Sequence, residues 1–442
     1  MSRANRLVIL TIASLLITTL LWLAAKPSSA VITEMPLKSA SQLLALLGTV
    51  LLSMTLVLST RLSFLEDWLG GIDKIFQAHH WLGALGFVFL LNHPVLLAIQ
   101  ALPSVQTAAR YFVLTENFSY NLGVIGLFLM VLGFCCMIFM TLPYHWWHKT
   151  HQILGWGFLF GGAHGFLVGS DVGVSLPLKL WLLLWVSAAA CATLYTLIWQ
   201  KFLAPRKWYK VAELEQRNDI LLIKLKPIGS KPLQFKAGQF VQTTFFSAAI
   251  SQESHPFSIV SGPNQLYLKL AIKLTGDYTK LLPALNPGDL AAVVGPFGRF
   301  GQLNDEGEVA VPSALTVGTS RVWVAAGIGA TPFLSLLEQE AESANQSEVW
   351  FFYCYRNQAD AVFTTEIESL LQKTPWVHFV PWQSSLKKRL NVQKIAEQVD
   401  LKSLHTFLLC GPTPFMTTLE AQAVAMGISP NKIQYEAFDF MT

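Results

Sequence analysis

Charge is scarce in this 442-residue chain: Asp, Glu, Lys and Arg together make up 13% of it, about half the share of an ordinary globular protein. With 52% hydrophobic residues, the composition excludes a disordered chain or a wholly soluble one. Cysteine is also sparse. The five present have no C-x-x-C spacing, which argues against zinc sites, iron–sulfur clusters and a disulfide framework. A basic stripe is missing as well, since residues 205–442 hold 21 Lys/Arg against 21 Asp/Glu, and this argues against nucleic-acid binding. Residues 1–204 hold only 10 Lys/Arg and 6 Asp/Glu. The scarcity therefore belongs to one half. The chain divides near residue 204 into an apolar half and a half of ordinary soluble composition, with room for two or three domains.

A helix crosses the hydrocarbon core of a bilayer in about 20 residues. Six segments reach that length: Leu7–Ala25, Ser41–Thr60, Phe76–Leu97, Asn121–Leu142, His151–Gly169 and Leu178–Phe202. The first follows Arg3 and Arg6 and could be read as a cleaved leader, but its 19 apolar residues favour a retained span. Lys/Arg bias sets orientation. Arg3, Arg6, Arg61, Lys74, Lys149, Lys201, Arg206, Lys207 and Lys210 mark one side, against Lys26, Lys38, Arg110 and Lys179 on the other. Both termini and the soluble half are then expected in the cytoplasm, with the bundle in the cell (inner) membrane.

Seven of the ten histidines lie in the apolar half, where ionisable groups are costly and usually serve a purpose. His79, His80 and His93 belong to the third span; His145, His148, His151 and His164 belong to the fifth and the loop before it. His79 and His93 are 14 residues apart, about 21 Å along a helix and ~40° from a common face. His151 and His164 are 13 apart, which places them about 20 Å along the axis but ~140° off a common face. Imidazole pairs at two matching depths suit two stacked bis-histidine haems. The 13-residue step requires either a distorted helix or a different ring approach. His80, His145 and His148 sit beside Trp81, Trp146 and Trp147 and fit an interfacial aromatic belt better. The adjacent residues His79 and His80 leave the choice of ligand between them open at this point.

From Pro205 the pattern is one of short alternating strands, as in an antiparallel barrel: Lys207–Leu214, Ile220–Leu225, Gln239–Phe246, Leu266–Leu274 and Leu290–Val294. Three clusters within it suit a flavin. His255, Pro256, Phe257 and Ser258 combine a donor, a rigid turn, an aromatic ring and a hydroxyl. Lys273, Gly276 and Thr279 lie in a segment that can present donors to a pyrophosphate at a helix start. Gly295–Phe300 (GPFGRF) closes the barrel.

After residue 318 strands alternate with helices, which implies a parallel α/β sheet. The strand Arg321–Ala326 runs into Gly327-Ile328-Gly329-Ala330-Thr331-Pro332 and then an apolar helix over Phe333–Leu337, the arrangement that holds a dinucleotide phosphate. Arg356 ends a second strand, Val349–Tyr355, and can face an adenosine ribose or its phosphate; Arg389 is a further candidate. A later strand, Thr406–Leu409, runs into Cys410, Gly411 and Pro412 at a sheet's carboxyl edge, where ligands bind. Cys410 is read either as a residue beside a nicotinamide or as an inert buried thiol. An aromatic residue in the terminal YEAFDF, Phe438 or Phe440, can stack on a flavin.

These residues carry a resemblance. HPFS at 255–258, IKLTGDYT at 272–279, GPFGRF at 295–300, GIGATP at 327–332 and CGP at 410–412 resemble the ferredoxin–NADP reductase superfamily, in the branch of ferric reductases and NADPH oxidases. HHWLG at 79–83 and the paired histidines resemble the ferric-reductase-like transmembrane domain. The resemblance implies a six-span α-helical bundle (1–204), an antiparallel β-barrel FAD domain (205–300) and an α/β NAD(P)H domain (301–442). It implies His79 paired with His151 for an inner b-type haem and His93 with His164 for an outer one. It also implies FAD at His255, Phe257, Ser258, Lys273, Gly276 and Thr279. NADPH or NADH falls at Gly327, Gly329, Thr331 and Pro332, with Cys410 and Gly411 near the nicotinamide and Phe438 stacking on the flavin. The expected activity is electron transfer from NAD(P)H to a one-electron acceptor beyond the membrane, oxygen or a ferric chelate. Nothing matches the calcium-binding or activator segments of animal oxidases, so no obligatory protein activator is expected. Two rival readings are electron donation to a quinone or partner reductase, and a histidine-based proton channel or redox sensor.

Overall fold

The computed structural model describes residues 3–69, 71–141, 144–229, 232–302, 320–343 and 347–436. The chain divides into two compact units, Met1–Ala204 and Pro205–Thr442.

The first unit is helical, as its nearly uncharged sequence requires. Its long helices are α1 (Arg3–Ala24), α2 (Pro36–Leu58), α3 (Ile72–Ala101), α4 (Phe118–Phe139), α5 (Tyr144–Leu167) and α6 (Leu176–Leu194). Among the described residues five stretches are long and apolar enough to cross a membrane: Arg6–Ala24, Pro36–Leu58, Lys74–Ala101, Phe118–Phe139 and Leu176–Gln200. The expected sixth, His151–Gly169, overlaps α5, which at 24 residues is long enough. It falls short in apolarity, because His148, Lys149, Thr150, His151, Gln152 and His164 interrupt it.

Small residues bring these helices together in pairs. A Cβ built on Gly126 of α4 would stand 2.7 Å from the Gly157 carbonyl oxygen of α5, and one on Gly157 would stand 2.8 Å from the Gly126 oxygen. Backbones approach this closely only where side chains are missing. Between α2 and α3, a Cβ on Gly48 would stand 3.0 Å from the Gly86 carbonyl oxygen, and one on Gly86 would stand 3.0 Å from the Leu52 side chain. Helix α1 belongs to this bundle. Its Trp22 packs in a core with Leu46, Val50, Met54, Leu178 and Leu182, and Trp181 Nε1 donates to Thr18 Oγ1 at 2.9 Å. Beyond its end, Lys26 Nζ reaches Asp171 Oδ2 at 2.6 Å and Gln42 Oε1 at 2.7 Å.

The second unit holds two sheets. The first is antiparallel, with strands β1 (Lys207–Arg217), β2 (Ile220–Pro227), β3 (Phe240–Phe246), β4 (Ser254–Ser258), β5 (Leu268–Lys273) and β6 (Leu290–Phe297) in the order β4-β3-β6-β1-β2-β5. One bridge, Ile259 to Leu270, joins the chain leaving β4 to β5 at the other edge. The second sheet is parallel, with β7 (Ser320–Ala326), β8 (Glu348–Tyr355), β9 (Val377–Gln383), β10 (Leu404–Cys410) and β11 (Ile433–Glu436) in the order β11-β10-β7-β8-β9. Its central strand β7 is buried along nearly its whole length, the mark of a strand covered on both faces. Between β7 and β8 lies helix α7 (Thr331–Glu342). It is longer than the five apolar residues expected from sequence, because its second half turns a polar face outward.

Helix α7 also ties the two sheets. Ser335 Oγ donates to the Ser261 carbonyl at 2.7 Å, and Glu338 Oε2 accepts from the Gly262 N–H at 2.6 Å. From the same helix, Glu340 forms a buried bidentate pair with Arg321 of β7, at 2.5 and 2.9 Å. Removing one partner of a buried pair strands the other charge, typically at a cost of about 3–5 kcal/mol. Arg321→Met is therefore expected to lower the thermal midpoint of the second unit. Arg321→Met combined with Glu340→Leu should recover much of the loss. Thermal unfolding of the three full-length proteins tests this, and a double variant no more stable than the single one would contradict it.

Candidate functional site

The four singled-out histidines meet in two pairs. His79 and His151 have ring centroids 5.8 Å apart, and His93 and His164 have centroids 6.5 Å apart. The backbones of α3 and α5 barely approach one another, so it is the imidazoles that span the gap. His80 takes no part; its ring lies edge-on against Trp81 at 5.9 Å.

Each ring is held through Nδ1. His79 Nδ1 lies 2.9 Å from the Thr55 carbonyl oxygen, and His164 Nδ1 lies 2.7 Å from that of Ser119. His93 Nδ1 lies 3.2 Å from the Ser41 carbonyl oxygen and 2.7 Å from its hydroxyl. His151 Nδ1 lies 3.2 Å from the Met137 sulfur. Carbonyl and thioether groups only accept, so each Nδ1 carries the proton and each Nε2 keeps its lone pair. That is the tautomer of a metal-ligating histidine whose second nitrogen is fixed by its surroundings. Two metal–imidazole bonds of about 2 Å each, plus the depth of the two rings, sum to about 6 Å. Both pair separations fit an iron between them.

The 13-residue step along α5 is absorbed without a break, since residues 144–167 are continuous α-helix. The rings approach differently instead: both lean toward α4, His151 to Met137 and His164 to Ser119. Gly123 makes the second contact possible, because a Cβ there would stand 3.0 Å from the His164 ring. Cβ atoms on Gly161 and Gly165 of the same helix would meet nothing within 4 Å.

In the second unit, HPFS forms the edge strand β4, where a proline is tolerated. Strand alternation splits the motif between two faces. His255 and Phe257 share one, and Phe257 packs in the sheet's core near Phe245. Pro256 and Ser258 share the other. His255 stacks on Tyr278 at 4.1 Å and reaches Glu253 Oε2 at 3.1 Å, so HPFS and the TGDYT segment are brought together. The helix expected after that segment is a 3-10 turn, Thr279–Ala284, and Thr279 Oγ1 takes the Gly276 N–H at 3.0 Å. Lys273 lies 3.6 Å from Asp219 at the end of β5.

The nucleotide candidates gather at the carboxyl edge of the parallel sheet. Gly327, at φ +55°, starts the turn after β7, and Pro332 sits in the first turn of α7. Thr331 Oγ1 donates to the Ile328 carbonyl at 2.9 Å. A Cβ on Gly329 would lie 2.3 Å from the Cys410 carbonyl oxygen, and one on Gly411 would lie 2.8 Å from the Ala326 side chain. The GIGATP and CGP loops thus touch backbone to backbone, and a Cβ on Gly327 would meet nothing within 4 Å. Such a turn fits a phosphate approached by backbone N–H groups. Pro412 precedes the helix Thr413–Ala425. Arg356 follows β8 at the same edge and is exposed. Cys410 is fully buried, its thiol 3.5 Å from the Glu436 carbonyl oxygen. Phe438 and Phe440 lie outside the described residues.

Several partners escaped sequence reasoning. Ser41, Thr55, Ser119 and Met137 belong to no motif. Glu436 is buried beside Cys410 across the β10–β11 pair, and no sequence signal pointed to it.

Comparison with known proteins identifies the parts. Residues 44–162 match the family model "Ferric reductase like transmembrane component", residues 204–286 "FAD-binding domain" and residues 323–421 "Oxidoreductase NAD-binding domain". The chain is a membrane protein whose second unit carries the FAD- and NAD-binding domains of an oxidoreductase. Taken together, these domains are the architecture of the ferric reductase and NADPH oxidase family. A flavohemoprotein of Xylella fastidiosa is 22% identical over 250 residues, covering 54% of this chain and 59% of the relative. The gamma subunit of sulfhydrogenase 2 from Pyrococcus furiosus is 25% identical over 243 residues, covering 51% and 79%. The chain thus spans little more than half the length of the flavohemoprotein it matches. Among solved structures, flavohemoglobin from Malassezia yamatoensis is similar in fold, with a TM-score of 0.52 and 17% identity over 93% of this chain and 98% of that one.

Burial holds the His255 imidazole below its ordinary pKa, with Glu253 and Asp277 offsetting part of the effect. The sign follows from linkage. Below the unfolded value of about 6.5 the unfolded ring takes up a proton that the folded ring resists, so stability falls on acidification. His255→Gln should flatten the drop in melting temperature between pH 7 and pH 5. An unchanged profile in that variant would refute the assignment.

Proposed function

We propose that this chain is a transmembrane flavocytochrome b that moves electrons from cytoplasmic NAD(P)H, by way of FAD and two b-type haems, to a one-electron acceptor beyond the membrane, oxygen or a ferric chelate. The observation that carries this reading is the set of four histidines, facing in pairs at two levels with each Nδ1 engaged by a neighbouring acceptor, which leaves each Nε2 available as a ligand. When bound, FAD converts a two-electron hydride donor into single electrons and each haem relays one at a time.

The residues divide this work. His79 and His151 would hold the inner haem and His93 and His164 the outer one, each oriented by its Nδ1 partner. On the flavin side the assigned residues are His255, Pro256, Phe257 and Ser258, with Lys273, Gly276 and Thr279 toward the pyrophosphate. Of the first group, Pro256 and Ser258 lie on the face of β4 away from the core. Gly327, Gly329, Thr331 and Pro332 would bind the phosphates of the pyridine nucleotide. Arg356 would meet its adenosine end, and Cys410, Gly411 and Pro412 would flank the nicotinamide. Phe438 is proposed to stack on the flavin.

We assign residues 1–204 to a six-span bundle in the cell inner membrane, counting α5 as the sixth crossing and α1 as retained. The Thr18–Trp181 and Lys26–Asp171 contacts support α1 as an integral member. Residues 205–300 are assigned to an FAD barrel and 301–442 to the NAD(P)H domain, both cytoplasmic.

Two experiments test the proposal. Anaerobic NADPH or NADH added to the purified, FAD-loaded chain should produce reduced low-spin b-type haem bands, and admitting oxygen or a ferric chelate should reverse them. Replacing any of the four histidines by Ala should cost one haem and leave flavin content intact. Protein that contains no haem would end this reading. Separately, Gly329→Val should slow flavin reduction by NAD(P)H at least about tenfold without loss of flavin, as followed by stopped-flow absorbance; a wild-type rate would remove the GIGATP turn from the nucleotide site.

A further inference from the structure

The four Nδ1 partners are not equivalent, and the difference separates the two histidine pairs. In the His93–His164 pair, both rings donate to oxygen at short range. His164 has the Ser119 carbonyl at 2.7 Å. His93 has two oxygens of one residue, the Ser41 carbonyl at 3.2 Å and its hydroxyl at 2.7 Å. That hydroxyl donates onward to the His93 carbonyl at 2.8 Å, so its lone pairs are turned to the ring. Ser41 is fully buried and cannot exchange this contact for water. The His79–His151 pair has one carbonyl, that of Thr55 at 2.9 Å, and one thioether, Met137 Sδ at 3.2 Å. Sulfur is a weak acceptor.

An acceptor on Nδ1–H makes an imidazole a more basic ligand. A more basic axial ligand favours ferric over ferrous iron and lowers the reduction potential. We propose that Met137 and Ser41 are positioning residues that set the order of the two haem potentials: Met137 keeps the His79–His151 level higher, and Ser41 draws the His93–His164 level lower. The inference rests on the haem reading proposed for these histidines. An electron then resides at the His79–His151 level until an acceptor draws it through the other. The effect of one hydrogen bond of ordinary strength corresponds to up to roughly a tenfold change in a reduction equilibrium, or about 59 mV for one electron.

The test is anaerobic spectroelectrochemistry of the haem absorbance in the full-length protein. Wild type should show two one-electron components. Ser41→Ala should move the lower component upward and leave the upper one in place, and Ser41→Thr, which keeps the hydroxyl, should restore the wild-type value. Met137→Gln, which offers a carbonyl oxygen in place of sulfur, should move the upper component downward, each shift being up to about tenfold in equilibrium constant. Should Met137→Gln lose haem, Met137→Leu decides instead: its upper component should stay or rise, and a fall overturns the proposal. A single unresolved wave, or a Ser41→Ala shift confined to the upper component, overturns it too. Haem present with potentials that neither residue moves defeats this inference alone, whereas wild-type protein without haem defeats the reading beneath it as well.

Discussion

An imidazole inside an apolar bundle has two nitrogens to satisfy, and here the first is taken by the protein so that the second is left basic. The Nδ1–H bonds to Thr55, Ser41, Ser119 and Met137 do more than orient rings. They require that α2 bring Thr55 and Ser41 against α3, and that α4 bring Ser119 and Met137 against α5. The glycine contacts between those helices meet this requirement, because a carbonyl oxygen is reachable only where backbones lie close. Pairing of α2 with α3 and of α4 with α5 thus also places the four rings.

The second unit solves a related problem with loops. The candidate nucleotide residues stand where strands of the parallel sheet end, and turns carry them, as turns allow backbone groups to point at a ligand. The contact of the GIGATP turn with Cys410 fixes both loops by backbone alone. Helix α7 then locks the parallel sheet to the antiparallel one through Ser335 and Glu338.

Much of this was legible in the sequence, for identifiable reasons. The division near residue 204 showed in charge, and five of the six antiparallel strands and three of the five parallel ones showed in alternation and in apolar runs such as Val322–Ala325. The histidine pairs showed because ionisable residues are rare in apolar segments. What stayed hidden was what depends on backbone position: three of the four histidine rings are held by main-chain oxygens, which no residue type encodes. The ring approach of His151 and His164 was likewise left open by ideal helix geometry, because the lean of a side chain toward α4 does not appear in a rotation of 100° per residue. The HPFS motif read as one surface, whereas β4 pairing with β3 turned it into a strand and divided it between two faces.

The histidines also bear on how the bundle comes to be inserted. Helix α4 is the most apolar of the candidate spans, with a mean hydropathy of 2.7, whereas α5 is interrupted by polar residues, the proposed ligands His151 and His164 among them. Only four residues, 140–143, separate the two helices. In the six-span reading α5 gains least from lipid on its own, and the Gly126–Gly157 contact offers it a partner immediately preceding it in the chain. The two helices would then partition as a hairpin. The polarity required for electron transfer would be carried into the bilayer by a neighbour, and membrane assembly of this pair would precede any filling of the space beside it.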